Sequence, residues 1–355
     1  MDIEAMTLRE KIGQLCMFGN NGTTLEAETI NMLTNFHVGN ILLTKNNASK
    51  PKQLHHLTQN AQAYAGKYPL FIAMEQAGGE QNSLTNGVTI SPNQQTLGQI
   101  NNRLYTRQIA QIVSEELTAM GVNMNLYPKA NIAADDATSY GASNKYTTRH
   151  VVAAIQGCHK ENVVATVRDF PGTGDLQVNI NASLTHEGRL YKTALQPFIK
   201  AIDAGADVMT MTNEFTIYSE VPEPTVFSPL ATQLLLREKL GFEGVIMTED
   251  LLDEKITTYI TPAEAAIRSL EAGVDIIVAG HHEIEQINIL EAINEAVKSG
   301  RITEERIDAS LERILRLKDE FIPNRFVDYD GDAFRKQWSV KLENLLTEKA
   351  LVATM

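Results

Sequence analysis

Residues 245–279 read VIMTEDLLDEKITTYITPAEAAIRSLEAGVDIIVA, which is a short apolar run, a segment with helical spacing and a second apolar run. In the middle segment, Thr261 is expected to cap a helix, with Pro262 at the first helical position and Glu264 reaching back to complete a capping box. Gly273 is placed to end that helix. The stretch therefore predicts a strand, a helix and a strand, in that order.

The same unit recurs along the chain. The apolar runs are continuous rather than alternating, which suits strands covered on both faces, and helices between them imply parallel pairing through right-handed crossovers. Eight units predict an α/β fold of one domain, a closed (β/α)8 TIM barrel. A second capping box is predicted at Thr7 and Glu10, ahead of the first run. The predicted strands span residues 14–18, 38–43, 70–74, 122–127, 163–168, 208–212, 245–248 and 274–279.

The barrel pattern weakens towards the C-terminus. Residues 303–318 carry a helical stripe of apolar side chains that would pack on the outside of the barrel. We therefore expect a barrel domain over residues 1–320. Residues 321–355 are expected to form a C-terminal helical extension, with one helix near 341–352.

Composition excludes several classes of function. The 355 residues include 31 Lys plus Arg and 44 Asp plus Glu, a formal charge of −13, which argues against nucleic acid or an anionic membrane as partner. No window reaches about 18 consecutive apolar residues and no basic start precedes an apolar run, so we expect a cytoplasmic protein. Cys16 and Cys158 lack the spacing of a zinc site, and the chain is expected to need no metal or cofactor.

Polar residues directly after the predicted strands are the candidates for chemistry, because ligands of such barrels bind at the carboxyl ends of the strands. Carboxylates at a barrel mouth can grip a sugar, attack a carbon atom or carry a proton. The alternative is a solvated loop or a cap on the following helix. The candidates are Glu75, Asn131, Arg168, Asp169, Asn213, Glu214, Glu249 and Asp250.

Residues 168–175, RDFPGTGD, are the most informative of these strand ends. A strand that runs into a Pro-Gly-x-Gly turn can bring backbone close to whatever occupies the pocket, because glycine accepts approaches that a Cβ would block. An ordinary tight loop between strand and helix is the alternative interpretation.

Several stretches together resemble glycoside hydrolase family 3, in particular its bacterial single-barrel β-N-acetylglucosaminidases. The likeness covers about residues 7 to 320 and keeps the family's order. It implies a TIM barrel that acts on amino sugars or cell-wall muropeptides. The matching stretches are residues 10–15 (EKIGQL), 73–79 (AMEQAGG), 121–128 (GVNMNLYP), 168–174 (RDFPGTG), 240–251 (LGFEGVIMTEDL), 271–275 (EAGVD) and 299–308 (SGRITEERID).

The resemblance implies a retaining double displacement, in which an aspartate attacks the anomeric carbon and an Asp-His dyad on a loop exchanges the proton. The family's nucleophile lies in a Ser-Asp-Asp-Leu stretch that here reads TEDL, so Glu249 falls on the nucleophile. One added methylene displaces the attacking oxygen by about an ångström, which can cost on the order of a hundredfold in rate. Asp250 is the alternative carboxylate.

The acid/base loop departs further from the family pattern. The dyad Asp and His correspond to Asn179 and Asn181. An amide exchanges no proton usefully near neutral pH, so neither residue performs the general acid/base step, which supplies roughly 10² to 10⁴ in rate. Asp169 and Asp175 are the candidate replacement proton carriers.

The residues expected to grip the sugar have changed as well. The family's sugar-holding Asp is a glutamate here, its Lys-His pair reads Arg-Asp, and its His after the sixth strand is an asparagine. A small-molecule carbohydrate remains the expected ligand. The candidate substrate-binding residues are Glu75, Arg168, Thr173, Asn131, Asn213, Asn179 and Asn181.

Three hypotheses follow. The chain is a family 3 glycosidase that works through Glu249 with a replacement proton carrier, and whose activity is weak. Alternatively, it is a catalytically silent barrel that binds a sugar or a protein partner at the same mouth. A third reading is a barrel enzyme with an altered substrate, since this fold hosts many reactions.

Overall fold

The structure, a computed structural model, describes residues 3–173, 194–215 and 223–329. Eight parallel strands form a closed barrel in chain order, and the last strand pairs with the first through Met17 and Val278. This confirms the TIM-barrel prediction. The strands are β1 (Cys16–Gly19), β2 (Asn40–Leu43), β3 (Phe71–Met74), β4 (Met124–Asn125), β5 (Val164–Phe170), β6 (Val208–Met211), β7 (Val245–Asp250) and β8 (Ile276–Ala279).

Every predicted strand overlaps an observed one, and β4 differs most in length. The predicted run 122–127 shortens to two residues. Asn123 uses its side chain to bond the backbone of the neighbouring β3 sector, where Ile72 N donates to its Oδ1 at 2.8 Å. At the other end Pro128 has no N–H to continue a ladder. The hydrogen bond to the Asn123 side chain therefore takes the place of one backbone hydrogen bond expected between β3 and a longer β4.

Helices surround the strands, as continuous apolar strands require. The described helices are α1 (Leu8–Gln14), α2 (Ala27–Thr34), α3 (Pro51–Tyr64), α4 (Gln94–Ile100), α5 (Arg103–Ala119), α6 (Asn144–His159), α7 (Gln196–Asp203), α8 (Leu230–Lys239), α9 (Glu254–Thr257), α10 (Pro262–Ala272), α11 (Glu283–Lys298) and α12 (Glu304–Phe321). The strand interiors are fully buried between these helices and the barrel centre.

Two helix starts test the predicted capping boxes. At α1 the box is complete, with Thr7 and Glu10 each bonding the other's backbone. At α10, Thr261 caps as predicted, but the carboxylate of Glu264 binds the guanidinium of Arg301 at 2.7 and 2.9 Å instead of reaching back. A bidentate, charge-assisted contact is stronger than one bond to a backbone N–H. Gly273 ends α10 in the left-handed conformation, as predicted.

The last described helix closes the barrel wall. The predicted apolar stripe of α12 is buried, including Ile307, Leu311 and Ile314, which confirms that it packs on the barrel. The helix predicted at 341–352 lies outside the described residues, so the division at residue 320 stays a proposal. Among the described residues, no helix combines the length and apolar character needed to span a membrane.

Candidate active site

The mouth of the barrel brings together side chains from the ends of β3, β5 and β7. Arg168 Nη1 lies 2.5 Å from Glu75 Oε1, and Lys129 Nζ lies 2.9 Å from Asp169 Oδ2. Arg168 Nε is 3.7 Å from the other oxygen of Asp169. Glu249 stands beside them at the end of β7. Four predicted site residues therefore converge in one charged cluster.

Sequence reasoning missed Lys129, which neutralises Asp169. A signal was present, because Lys129 follows the fourth predicted strand directly after Pro128. The loop of Lys129 is fixed by Gln94, whose side chain both donates to and accepts from the Lys129 backbone at 2.9 Å. It is further held by Arg168, whose backbone N donates to Pro128 O. The ammonium group is therefore placed on Asp169 by two neighbouring segments.

Glu249 and Asp169 form a carboxyl pair. Asn213 N donates to Glu249 Oε2 at 2.7 Å, which fixes one end of the Glu249 carboxyl. Oδ1 of Asp169 is buried, and within the described ranges no N–H or hydroxyl group donates a hydrogen bond to it. The Glu249 carboxyl lies within hydrogen-bonding reach of Asp169. When Glu249 carries a proton, its carboxyl O–H can therefore donate a hydrogen bond to the Asp169 carboxylate.

The pKa values of the two carboxyl groups shift in opposite directions. Burial, with the negative charge of Asp169 adding to it, raises the pKa of Glu249 to about 8, although the Asn213 N–H opposes the shift. Burial also acts to raise the pKa of Asp169, but the positive charges of Arg168 and Lys129 outweigh burial and lower it. Like charges in contact cannot both ionise easily. At pH 7 Asp169 is therefore the anion, and Glu249 is mostly protonated.

The backbone of Asp169 explains how its side chain reaches Glu249. Asp169 adopts a positive φ of 69°, in the left-handed region that aspartate tolerates better than most residues. Its N–H donates to Thr210 Oγ1 on β6 at 2.9 Å. A left-handed residue in place of regular strand costs on the order of 1 kcal/mol, and the ion pair with Lys129 and the bond to Thr210 hold it there.

Asp250, the alternative nucleophile, lies in a different environment. Its Oδ1 accepts from Leu252 N at 2.9 Å and from Gly280 N at 3.0 Å, which ties the end of β7 to the end of β8. Burial raises its pKa even though both N–H groups oppose the shift. Asp250 therefore holds two loops together and does not join the Glu249–Asp169 pair.

Asn131 and Thr173, two predicted sugar ligands, bind each other. Asn131 Nδ2 donates to Thr173 Oγ1 at 2.5 Å, and Thr173 N donates to Asn131 Oδ1 at 3.1 Å. Both ends of the Asn131 amide are thereby used. Thr173 is the last described residue before position 194. Asp175, Asn179 and Asn181 lie outside the described residues, so their predicted roles stay predictions.

Asn213 has one polar atom left over. Its Nδ2 donates to the backbone oxygen of Asp250 at 2.9 Å, and its N–H holds Glu249. Within the described ranges, its buried Oδ1 has no hydrogen-bond partner. Asn213 therefore positions the β7 end, and its predicted contact with a sugar stays a prediction.

His281 follows the end of β8. Its Nε2 lies 3.2 Å from Thr44 Oγ1 after β2, and its ring rests on Gly19, where an added Cβ would come within 2.3 Å of Nδ1. Burial lowers its pKa, although the charges of Asp250 and Glu26 oppose this. It is a neutral imidazole that links β8 to β2, on the mouth sector opposite Asp169.

A cavity opens beside the charged cluster on the β3 and β4 side. Its volume is about 370 Å³, including the part open to solvent, and its wall includes Glu75, Gln81, Gln94, Lys129 and Arg168. These groups offer several hydrogen-bond donors and acceptors, which the hydroxyl groups of a sugar require. Within residues 3–173, 194–215 and 223–329, no three His, Cys, Asp or Glu side chains are grouped to hold a metal ion.

A TIM barrel with carboxyl groups at its strand ends is the architecture of many glycoside hydrolases. The sequence model of the glycosyl hydrolase family 3 N-terminal domain matches residues 7–317. The chain therefore belongs to glycosyl hydrolase family 3.

Three of the similar proteins are named as β-hexosaminidases or β-N-acetylglucosaminidases. A β-hexosaminidase of Nitrosomonas eutropha is 30% identical over 273 residues, which cover 72% of this chain and 78% of that protein. A family 3 β-N-acetylglucosaminidase from Paenibacillus sp. str. FPU-7 superposes with a TM-score of 0.82 at 31% identity, covering 94% of this chain and 68% of that one. A β-N-acetylhexosaminidase from Beutenbergia cavernae, at 24% identity and a TM-score of 0.79 over 88% of this chain and 99% of that one, supports the fold.

Proposed function

We propose that this chain binds a β-linked amino sugar at its barrel mouth and hydrolyses it with greatly reduced efficiency. The observation that carries this proposal is the contact between Glu249 and Asp169. The position that the family resemblance assigns to the nucleophile holds a carboxyl group that is protonated near neutral pH. A protonated carboxyl is a poor nucleophile, because its lone pairs are less available for attack.

The spacing of the pair supports the same conclusion. Retaining glycosidases keep their two carboxyl groups about 5 Å apart, and inverting ones keep them farther apart to admit a water. A pair within hydrogen-bonding reach of each other is closer than either arrangement requires. Asp169 therefore does not suit the role of proton carrier for Glu249. The resemblance places Asn179 and Asn181 on the remaining acid/base positions, and an amide cannot fill that role.

The amino-sugar preference rests on the relatives. The Nitrosomonas eutropha and Paenibacillus proteins are named as a β-hexosaminidase and a β-N-acetylglucosaminidase. The cavity beside Arg168 and Glu75 keeps polar groups suited to sugar hydroxyls. We therefore take an N-acetylamino sugar, free or within a muropeptide, as the ligand.

A glycosidase that works at alkaline pH through an ionised Glu249 is the second candidate, favoured by the bond from Asn213 N to Glu249. This N–H holds the carboxyl in place and stabilises its anion. Above pH 8 most Glu249 side chains lose their proton, so any hydrolysis through Glu249 should increase with pH. Asp175 would then have to supply the proton.

Calorimetric binding and turnover should be measured on the same preparation. We expect the native chain to bind N-acetylglucosamine, and its hydrolysis of an aryl β-N-acetylglucosaminide at pH 7 to stay within about twofold of that of Glu249→Gln. The matched control is Glu271→Gln, because Glu271 pairs with Arg301 on the outer surface. Rapid turnover at pH 7 that Glu249→Gln abolishes would contradict the proposal, and so would a complete lack of sugar binding.

A further inference from the structure

Two exposed aromatic rings lie at the rim of the barrel mouth. We call Phe215 and Tyr259 the rim platform. Each residue is 39% exposed, and their rings meet edge to face with centroids 5.5 Å apart. Phenylalanine has no polar atom to interact with water, so the exposed part of the Phe215 ring is bare apolar surface.

The platform is held rigidly from below. Tyr259 stacks on Phe227 at 6.4 Å, and the guanidinium of Arg268 lies 4.8 Å from the centre of the Phe227 ring. Arg268 is itself bound by Glu223. The backbone of Phe215 pairs with Pro224 in an antiparallel bridge. A ring fixed in this way loses little entropy when a ligand packs on it.

The platform is continuous with the candidate active site. Phe215 follows Asn213 by two residues, so their Cα atoms are at most about 7 Å apart, and Asn213 N is 2.7 Å from Glu249. Beside the platform, Lys255 Nζ lies 2.5 Å from Glu214 Oε1. Lys255 lies close enough to Glu249 for the ionised form of that carboxyl to raise the pKa of Lys255, which places this ion pair near the mouth.

We propose that the rim platform binds the second sugar ring of a β-linked oligosaccharide whose first ring occupies the barrel mouth. This inference rests on the proposed function and names its substrate as an oligosaccharide. A sugar ring has an apolar face of C–H groups and an edge of hydroxyl groups. The aromatic rings match the face, and the exposed Glu214 and Lys255 side chains offer an acceptor and donors to the edge.

A sugar fits this surface better than a charged ligand. Glu214 neutralises Lys255 and Glu223 neutralises Arg268, so both cations beside the platform are paired. A polyanion gains no attraction from such a surface. Stacking of a neutral ring on a fixed aromatic side chain needs no net charge.

The test compares one sugar ring with two by calorimetry. The probes are N-acetylglucosamine and its β-linked dimer, di-N-acetylchitobiose. We expect the native chain to bind the dimer about three- to tenfold more tightly, as an aromatic contact typically provides. Phe215→Ala should remove this gain and leave the affinity for N-acetylglucosamine unchanged. Tyr259→Ala should reduce the gain in the same direction.

Phe326→Ala is the matched control. Phe326 is 56% exposed, and its neighbour Arg325 bonds the carbonyls that follow α3, at the opposite end of the barrel. This variant should keep the full gain. Equal affinity of the native chain for both sugars, or an equal loss for both in Phe215→Ala, would overturn the platform while leaving the proposed function intact. A native chain that binds neither sugar would contradict both.

Discussion

A variant with the family pattern restored should hydrolyse an aryl β-N-acetylglucosaminide about a hundred- to ten-thousandfold faster than the native chain, as judged by kcat/KM at pH 7. Burial and the negative charge of Asp169 together keep a proton on residue 249, and removing the Asp169 anion takes away the second of these causes. A shorter side chain there moves the carboxylate back to the family position. The restored acid/base pair then supplies proton transfer. The four substitutions are Glu249→Asp, Asp169→His, Asn179→Asp and Asn181→His.

Partial variants separate the causes of the gain. Glu249→Asp alone keeps the Asp169 anion beside residue 249 and adds no proton carrier, so its rate should stay near that of the native chain. Asn179→Asp with Asn181→His restores the dyad but leaves a protonated Glu249, and it should recover only a small part of the activity. If the fourfold variant folds and binds N-acetylglucosamine but shows no faster hydrolysis, lost catalytic groups are not the cause of low activity.

Replacing Asp275 should cost about 3 to 5 kcal/mol of stability, because it leaves buried positive charge without its partner. Asp275, at 0% exposure, precedes β8. Burial lowers the pKa of Arg237 to about 10 even though Asp275 opposes the shift, which shows how costly these guanidinium charges would be alone. The carboxylate contacts Arg237 Nη2 at 2.6 Å, Arg313 Nη1 at 3.0 Å, Ser310 Oγ at 2.6 Å and Ile246 N at 2.9 Å.

Urea unfolding of Asp275→Ala measures this loss. Asp203→Ala is the matched control, because Asp203 pairs with Lys200 on the exposed surface of α7. An exposed pair of this kind contributes at most about 0.5 kcal/mol. A loss below about 1 kcal/mol for Asp275→Ala would show that the arginines find other partners or water, and that this carboxylate does not fasten β7 and β8 to α12.

The fold was accessible from the sequence because it depends on a repeated local pattern. Each apolar run had to be a strand covered on both faces, and eight such runs leave few architectures. The errors were local. The carboxylate of Glu264 binds Arg301 and not the backbone at the start of its own helix. Arg301 is 37 residues away along the chain. The β4 run was shortened by Asn123, whose side chain bonds the neighbouring sector. Neither competing partner is visible in a local window.

The site was accessible in part for the same reason. Parallel strands of a barrel end at one rim, so Glu75, Arg168 and Glu249 could be placed together from their positions after strands. The contact between Asp169 and Glu249 could not be predicted, because it depends on the left-handed backbone of Asp169. That conformation is imposed by contacts with β6 and Lys129 rather than by neighbours in sequence.

The rim platform was also beyond sequence reasoning. Phe215 and Tyr259 are 44 positions apart in the printed sequence, and no spacing rule connects them. Their contact depends on how the loops after β6 and β7 pack against Phe227. Residues of this kind can be found only when the loops are seen together.

The central claim is that Glu249 shares its proton with the Asp169 anion, and carboxyl ¹³C NMR tests it most directly. Chain labelled at glutamate carboxyl carbons would be titrated, with the Glu249 signal assigned by its loss in Glu249→Gln. The coupled pair should show an apparent midpoint near pH 8 at this signal, and Asp169→Asn should shift it to lower pH. A native Glu249 that titrates near the ordinary glutamate value of about 4.3 would contradict the account.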